Sequence, residues 1–238
     1  MKQLLLDLHP ERPPTFDNFV PGANAELLAT LNRLAEGAAP GGAQCLTSPP
    51  PPPVHLYLWG APGSGRSHLL QATITRAQAL GHPAITLAAS ELESAQLDTP
   101  AALIAIDDAD RLAPQAQIAL FNAFNRARPS GQTLLLAGPV APLHLAVRED
   151  LRTRIGQSLI FEVRPLDDDT RAAILRSLAT RRGLTLADEV VAFVLNHGHR
   201  DLPGMVATFE ALDAASLEYK RPITLPLVRE LMQQGLQL

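Results

Sequence analysis

The chain has 238 residues, 46% of them hydrophobic and 18% charged, enough for one large domain or a core domain with a smaller companion, and too much for a peptide or a disulfide knot. Its formal net charge of −4 has the wrong sign for a protein held to nucleic acid mainly through phosphates, so any DNA is expected to be reached indirectly. No uncharged apolar run approaches the roughly 20 residues of a membrane helix, the single Cys45 cannot form an internal disulfide, and the seven histidines are scattered, which points to a soluble protein of the reducing cytoplasm.

Residues 1–14 are leucine-rich and closed by Pro10, Pro13 and Pro14. They read as an extended tail, too short for a secretory core and without a small-residue cleavage site. A loop from Thr15 leads into a helix predicted over about 24–34. The stretch 36–53, EGAAPGGAQCLTSPPPPP, is a surface connection in which the proline run favours polyproline II. VHLYLWG at 54–60 predicts a buried strand, followed by a glycine-rich turn and an apolar-periodic helix over 66–80. Further strands are predicted at 84–89, 102–107, 133–138 and 158–163, with helical segments at 90–97, 115–128 and 143–154 between them. Near-continuous apolar strands alternating with helices imply a parallel sheet covered on both faces. From Leu166 the strand pattern stops, and helices over 168–182, 187–197, 201–219 and 224–234 form a small all-α unit. The expected organisation is a tail (1–14), an α/β domain (15–165) and a helical domain (166–238).

Gly60-Ala61-Pro62-Gly63-Ser64-Gly65-Arg66-Ser67 has the spacing G-x-x-x-x-G-K-[ST], with Arg66 where lysine is expected. Glycines let backbone N–H groups wrap a phosphate, and the following helix turns its positive end to the same anion. Ser67 stands where a hydroxyl ligates Mg²⁺. Arginine keeps the charge, but its planar fork does not reproduce a compact ammonium at the terminal phosphates, so binding is expected with poor catalysis. An ordinary glycine turn is the plainer alternative.

The strand ALIAID ends in Asp107-Asp108. An acid at the tip of a strand adjacent to the phosphate loop can hold Mg²⁺ through water, the role expected of Asp107, while Asp108 polarises an attacking water. Carboxylates that merely cap the next segment would look the same.

At this point the chain resembles the AAA+ family and, within it, the DnaA-like branch of bacterial replication proteins. The residues that carry the resemblance are Thr15 to Val20 with Gly22 and Asn24, the phosphate loop, the paired aspartates, Leu151-Arg152-Thr153-Arg154 and Arg200-Asp201-Leu202. The resemblance implies an adenine-side contact at Val20, Gly22 and Asn24. It implies phosphate contacts from Gly60, Gly63, Ser64, Gly65, Arg66 and Ser67, with Asp107 and Asp108 at the metal side. It further implies a sensor arginine at Arg200 that touches bound ADP or ATP, with Mg²⁺ at Ser67 and Asp107. Arg154 falls where the family projects an arginine finger toward a neighbour's γ-phosphate. Arg152 beside it reads as a surface group, and a surface role is equally open to Arg154 and Arg200. His197 and His199 lack an evident third metal ligand.

Pro139-Val140 follows the strand TLLLAG where the DnaA branch usually has a polar sensor, a second reason to expect nucleotide held rather than turned over. DnaA initiators continue into a helix-turn-helix domain, whereas this chain ends after the helical unit, whose eight Arg and Lys against ten Asp and Glu over 166–238 make no basic DNA reader. Arginine in the phosphate loop is a feature of Hda-type regulators, which resemble DnaA and inactivate it. Gln3-Leu4-Leu5-Leu6-Asp7-Leu8 looks like the hexapeptide with which such regulators bind the replication sliding clamp. In an extended peptide Leu4, Leu6 and Leu8 share a face that can enter an apolar groove, with Gln3 at its rim; a tail folded back on its own core is the alternative. The resemblance therefore implies a negative regulator of replication initiation with DnaA and the clamp as partners, DNA reached only through the clamp, no membrane, and room for a nucleotide-dependent homo-oligomer. An autonomous AAA+ ATPase serving as a helicase-loading or transposition helper is the second reading.

Overall fold

The structure is a computed structural model that describes residues 13–37, 54–99, 102–199 and 201–234. After a short 3₁₀ turn at Phe16–Asn18 the order is α1 (Ala25–Ala35), β1 (Leu56–Trp59), α2 (Arg66–Ala79), β2 (Ala84–Ala88), β3 (Leu103–Asp107), α3 (Pro114–Ser130), β4 (Thr133–Gly138), α4 (Glu149–Gly156) and β5 (Leu159–Glu162). Four helices follow: α5 (Asp168–Arg181), α6 (Asp188–His197), α7 (Leu202–Tyr219) and α8 (Leu225–Gln233).

The strands form one parallel sheet in the order β2-β3-β4-β1-β5. Alternation along each strand sends side chains to opposite faces, and two apolar layers result. Tyr57, Ile104, Ile106, Leu134 and Leu136 pack on one face with α3, Leu151 and Ile155. Leu56, Leu58, Leu103, Ala105, Leu135 and Ala137 pack on the other with α1 and α2. The sheet is thus covered on both faces, as the apolar strands predicted, and only the edge strand β5 leaves Leu159 and Ile160 substantially exposed. A third apolar cluster, built on Leu175, Val190, Val194, Met205, Phe209, Leu212 and Val228, joins α5 to α8.

Three expectations are corrected. The helix predicted at 90–97 is instead two short 3₁₀ turns, Ala89–Glu91 and Ser94–Asp98. Leu92 and Leu97 are both buried, and residues five apart cannot share one face of a continuous α-helix. The helix predicted at 143–154 is a 3₁₀ turn at Pro142–His144 followed, after an extended link, by α4. The link is held where the Arg148 N–H donates to Gln117 Oε1 at 2.8 Å, so the helix starts only at Glu149. Finally, β3 is not adjacent to β1: β4 lies between them. Pro139 and Val140, which follow β4, therefore stand between the phosphate loop and Asp107. Among the described residues no helix is long and apolar enough to cross a membrane.

Candidate nucleotide site

Parallel strands place their C-terminal ends, and the loops that follow, along one rim of the sheet, where ligands of open α/β sheets bind. Trp59 pairs in register with Gly138, and Ile106 with Leu136, so the turn 60–65, Pro139-Val140 and Asp107-Asp108 share that rim.

The turn is shaped by its glycines. Gly63 and Gly65 have φ of +76° and +97°, the left-handed region that penalises any side chain. A β carbon at Gly60 would lie 2.5 Å from the Val163 carbonyl oxygen. Gly65 caps α2 without a side-chain hydrogen bond, and the first turn of α2 carries no acidic residue. Helix geometry leaves the N–H groups of that first turn without intrahelical acceptors, and the first bond closes only at Leu69 N–H to Gly65 O, 2.9 Å. Two polar atoms beside them, Ser64 Oγ and Arg66 Nη1, are buried with no hydrogen-bond partner among the described residues. Buried donors are rarely left unpaired in a finished structure. Unpaired donors beside an uncapped helix N-terminus fit a phosphate-bearing ligand. Ser67, at the exposed start of α2, and Asp107, half-buried at the end of β3, are the groups available to Mg²⁺. Among the described residues no three His, Cys, Asp or Glu side chains cluster as a metal site of their own.

Asp107 Oδ1 accepts from the Asp108 N–H at 2.9 Å, which leaves its second oxygen free of that bond. Asp108 has φ +50°, ψ +50° and lies 3.7 Å from Arg111 Nε. A left-handed aspartate is uncommon and costs backbone strain. The floor of the rim is Tyr57, whose hydroxyl donates to Val140 O at 2.7 Å and occupies the space a Gly138 side chain would need. Burial pushes its phenol well above the ordinary range; the positive charge of Arg66 opposes that shift and the negative charge of Asp110 adds to it.

The segment before α1 folds over this turn. A β carbon on Gly65 would come within 2.7 Å of Phe19 Cε2, and the Phe19 ring lies 5.6 Å from that of His68, which itself contacts Thr15 O at 2.9 Å. Val20 is half-buried and Gly22 has φ +49° beside Leu166. Asn24, expected at the adenine, is buried, and its amide is committed to both backbone groups of Arg164 at 2.8 Å each. It fastens the opening loop to the strand exit.

From the other side, Asp201 caps α7, accepting from the Gly204 N–H at 3.1 Å. Its β carbon stands 3.2 Å from the position a Gly63 β carbon would occupy, so the helical unit rests on the phosphate loop. Arg200 and the tail residues Gln3, Leu4, Leu6 and Leu8 lie outside the described residues. His197 stacks on Phe193 at 4.2 Å and contacts its carbonyl at 3.0 Å. Arg154 is exposed on α4, with its guanidinium 5.8 Å from the centre of the Phe121 ring. Arg152 lies on the opposite flank of α4 and lines an open groove of about 420 Å³ with Leu143, Gly156 and Ile160. Tyr57 was not singled out from sequence, and Phe19 and Asp201 were named only inside longer motifs, with no role of their own. Of these only Asp201 carried a usable signal, the Asp-Leu-Pro-Gly start of a capped helix.

Residues 168–232 match the family described as Hda, lid domain. The match covers the helical unit, α5 to α8, and not the α/β domain before it. In overall shape the chain is similar to domain III of the Thermotoga maritima replication initiation protein DnaA, with a TM-score of 0.70, 21% identity, and coverage of 96% of this chain and 100% of that one. It is also similar to AMPPCP-bound DnaA from Aquifex aeolicus, with a TM-score of 0.67, 22% identity, and coverage of 86% and 66%. The Thermotoga maritima RuvB Holliday junction branch migration motor follows at 0.66, 16%, 93% and 72%. The chain spans 65% of the length of a DNA replication initiation factor to which it is also similar. At these identities the likeness is one of fold: a parallel five-stranded α/β domain followed by a helical unit.

Proposed function

We propose that this protein is a DnaA-directed regulator of replication initiation that holds an adenine nucleotide at the turn 60–67 and stimulates hydrolysis of the ATP bound to DnaA. The observation that carries this reading is the Hda lid at 168–232 set on a DnaA-like fold whose phosphate loop retains unpaired donors at Ser64 and Arg66.

A bound nucleotide supplies a polyanion and an adenine base. The free N–H groups at the start of α2 and the Ser64 hydroxyl donate to the phosphates, and Arg66 neutralises their charge. Ser67 and Asp107 hold Mg²⁺, and Val20 with Gly22 borders the base side. Arg200 completes the lid side of the cleft. The Arg66 fork in place of lysine and the apolar Pro139-Val140 at the central strand end favour a site that holds ADP and hydrolyses ATP slowly. Nucleotide here orders the 15–165 domain against the lid.

Arg154 acts in trans. Its exposure on α4 and the absence of an ion pair to it among the described residues leave the guanidinium available to neutralise charge that develops on a partner's γ-phosphate. The tail residues Gln3, Leu4, Leu6 and Leu8 bring the protein to the sliding clamp, and through it to DNA, in the cytoplasm. The test combines purified protein, clamp loaded on DNA, and DnaA carrying labelled ATP. Hydrolysis rises with the unmodified protein and not with Arg154→Ala; equal stimulation by both removes the finger role.

The aspartates at the end of β3 keep a second reading in play, an autonomous AAA+ ATPase. It requires turnover by the chain alone that Asp108→Asn abolishes, and no dependence on residues 3–8.

A further inference from the structure

Arg171, in the first turn of α5, is 3% exposed, which is unusual for a guanidinium, the group least often buried without full pairing. Its Nη1 donates to Asp168 Oδ1 at 2.8 Å and its Nη2 to the His199 carbonyl at 3.0 Å, while Nε has no partner among the described residues. Asp168 is itself 79% exposed at its side chain, so water screens the charge that ought to offset the buried cation. A buried ion with so exposed a counter-ion adds little stability, and an apolar residue of similar volume would serve the core as well or better. The bond it makes to His199 is the informative one.

That carbonyl belongs to the turn that feeds α7. Two residues on, Asp201 caps α7 and lies against Gly63 of the phosphate loop. His199 packs against the first turn of α7: a β carbon on Gly204 would sit 2.5 Å from the His199 β carbon. Fixing the His199 carbonyl therefore steadies that first turn, and with it how Asp201 meets Gly63.

We propose that Arg171 is a positioning residue for nucleotide binding: by holding the His199 carbonyl, it sets the α7 N-terminus against the phosphate loop. It touches no ligand itself. This rests on the nucleotide-binding reading of the turn 60–67. Loss of the side chain's hydrogen bond loosens the turn while the apolar lid core of Leu175, Val190, Val194 and Phe209 stays intact.

The test compares the full-length unmodified protein with Arg171→Met and Arg171→Lys. Thermal unfolding reads the fold, hydrogen exchange without nucleotide reads the Gly204 and Met205 amides, and calorimetry with ADP reads affinity. The expected result for Arg171→Met is a melting temperature at or above the unmodified value, faster exchange at Gly204 and Met205 with Phe209 unchanged, and ADP affinity about tenfold weaker. Arg171→Lys, which still reaches the carbonyl with a donor, recovers most of the affinity. Unchanged exchange or unchanged affinity in Arg171→Met overturns the proposal, as does a loss of affinity matched by unfolding of the lid in both variants. Absence of ADP uptake by the unmodified protein overturns the reading of the phosphate loop instead, and the exchange measurement then still decides whether Arg171 holds the turn.

Discussion

Asn24 and Arg164 exchange two hydrogen bonds of 2.8 Å across 140 residues of sequence. The side-chain amide of one imitates a strand partner for the backbone of the other, and so ties the loop that covers the phosphate turn to the exit of β5. Asn24→Ala removes both bonds and leaves two backbone groups without partners. A loss of about 2 kcal/mol is expected, measured by urea unfolding, with Asn24→Asp intermediate because its oxygen still accepts from the Arg164 N–H.

Two glycines should respond with opposite sign to the same substitution. Gly60→Ala drives a β carbon to 2.5 Å from the Val163 carbonyl and 2.8 Å from Ser64 Oγ, and a backbone atom cannot step aside cheaply. It should cost about 3 kcal/mol and abolish ADP uptake. Gly156→Ala, at the end of α4 with open space around its β carbon and no positive φ, should stabilise by about 0.5 kcal/mol. Parallel thermal melts of the two variants check both signs.

His55 gives the fold an acid-sensitive point. Burial lowers its pKa to about 4, and its Nδ1 accepts from the Leu134 N–H at 3.1 Å, a bond that protonation of Nδ1 destroys. The unfolded chain takes up the proton near 6.5 and the folded chain only near 4. Between those values the unfolded state binds more protons, so stability is complete above about pH 6.5 and declines as pH falls toward 4. Allowing for solvent screening, the loss attributable to His55 is about 2 kcal/mol. Unfolding free energies measured from pH 7 to 4.5 should fall less steeply in His55→Gln, which does not titrate.

Arg154→Ala should leave the protein's own properties nearly intact. The contact with Phe121 at 5.8 Å is exposed and contributes about 0.5 kcal/mol, so melting temperature and ADP affinity change little. Stimulation of hydrolysis on DnaA should drop by about 10³-fold, the scale on which a finger in trans acts. A phosphate-release assay with saturating clamp separates the two effects.

How much of this was legible in sequence follows from the range of each interaction. Strand and helix periods are local, and every strand and every lid helix lies where the apolar pattern put it, within two residues at its ends. The glycine-rich turn at 60–65 was legible because its glycines, its spacing and its position between a strand and a helix are all local. The insertion of β4 between β1 and β3 was not, since strand order in space carries no mark in chain order. Asn24 and Arg171 were beyond reach for a similar reason: their partners are backbone groups at Arg164 and His199, and a backbone acceptor has no residue type to recognise. The helix expected at 143–154 failed on one tertiary bond, from Arg148 to Gln117.

Calorimetric titration of the full-length protein with ADP is the most direct check on the phosphate turn. One molecule should bind per chain, with affinity lost in Gly60→Ala and weakened in Ser64→Ala, whose hydroxyl is buried without a partner. If the folded protein takes up no ADP or ATP with Mg²⁺ present, or takes it up equally in Gly60→Ala, the turn is not a nucleotide site and the functional account built on it does not stand.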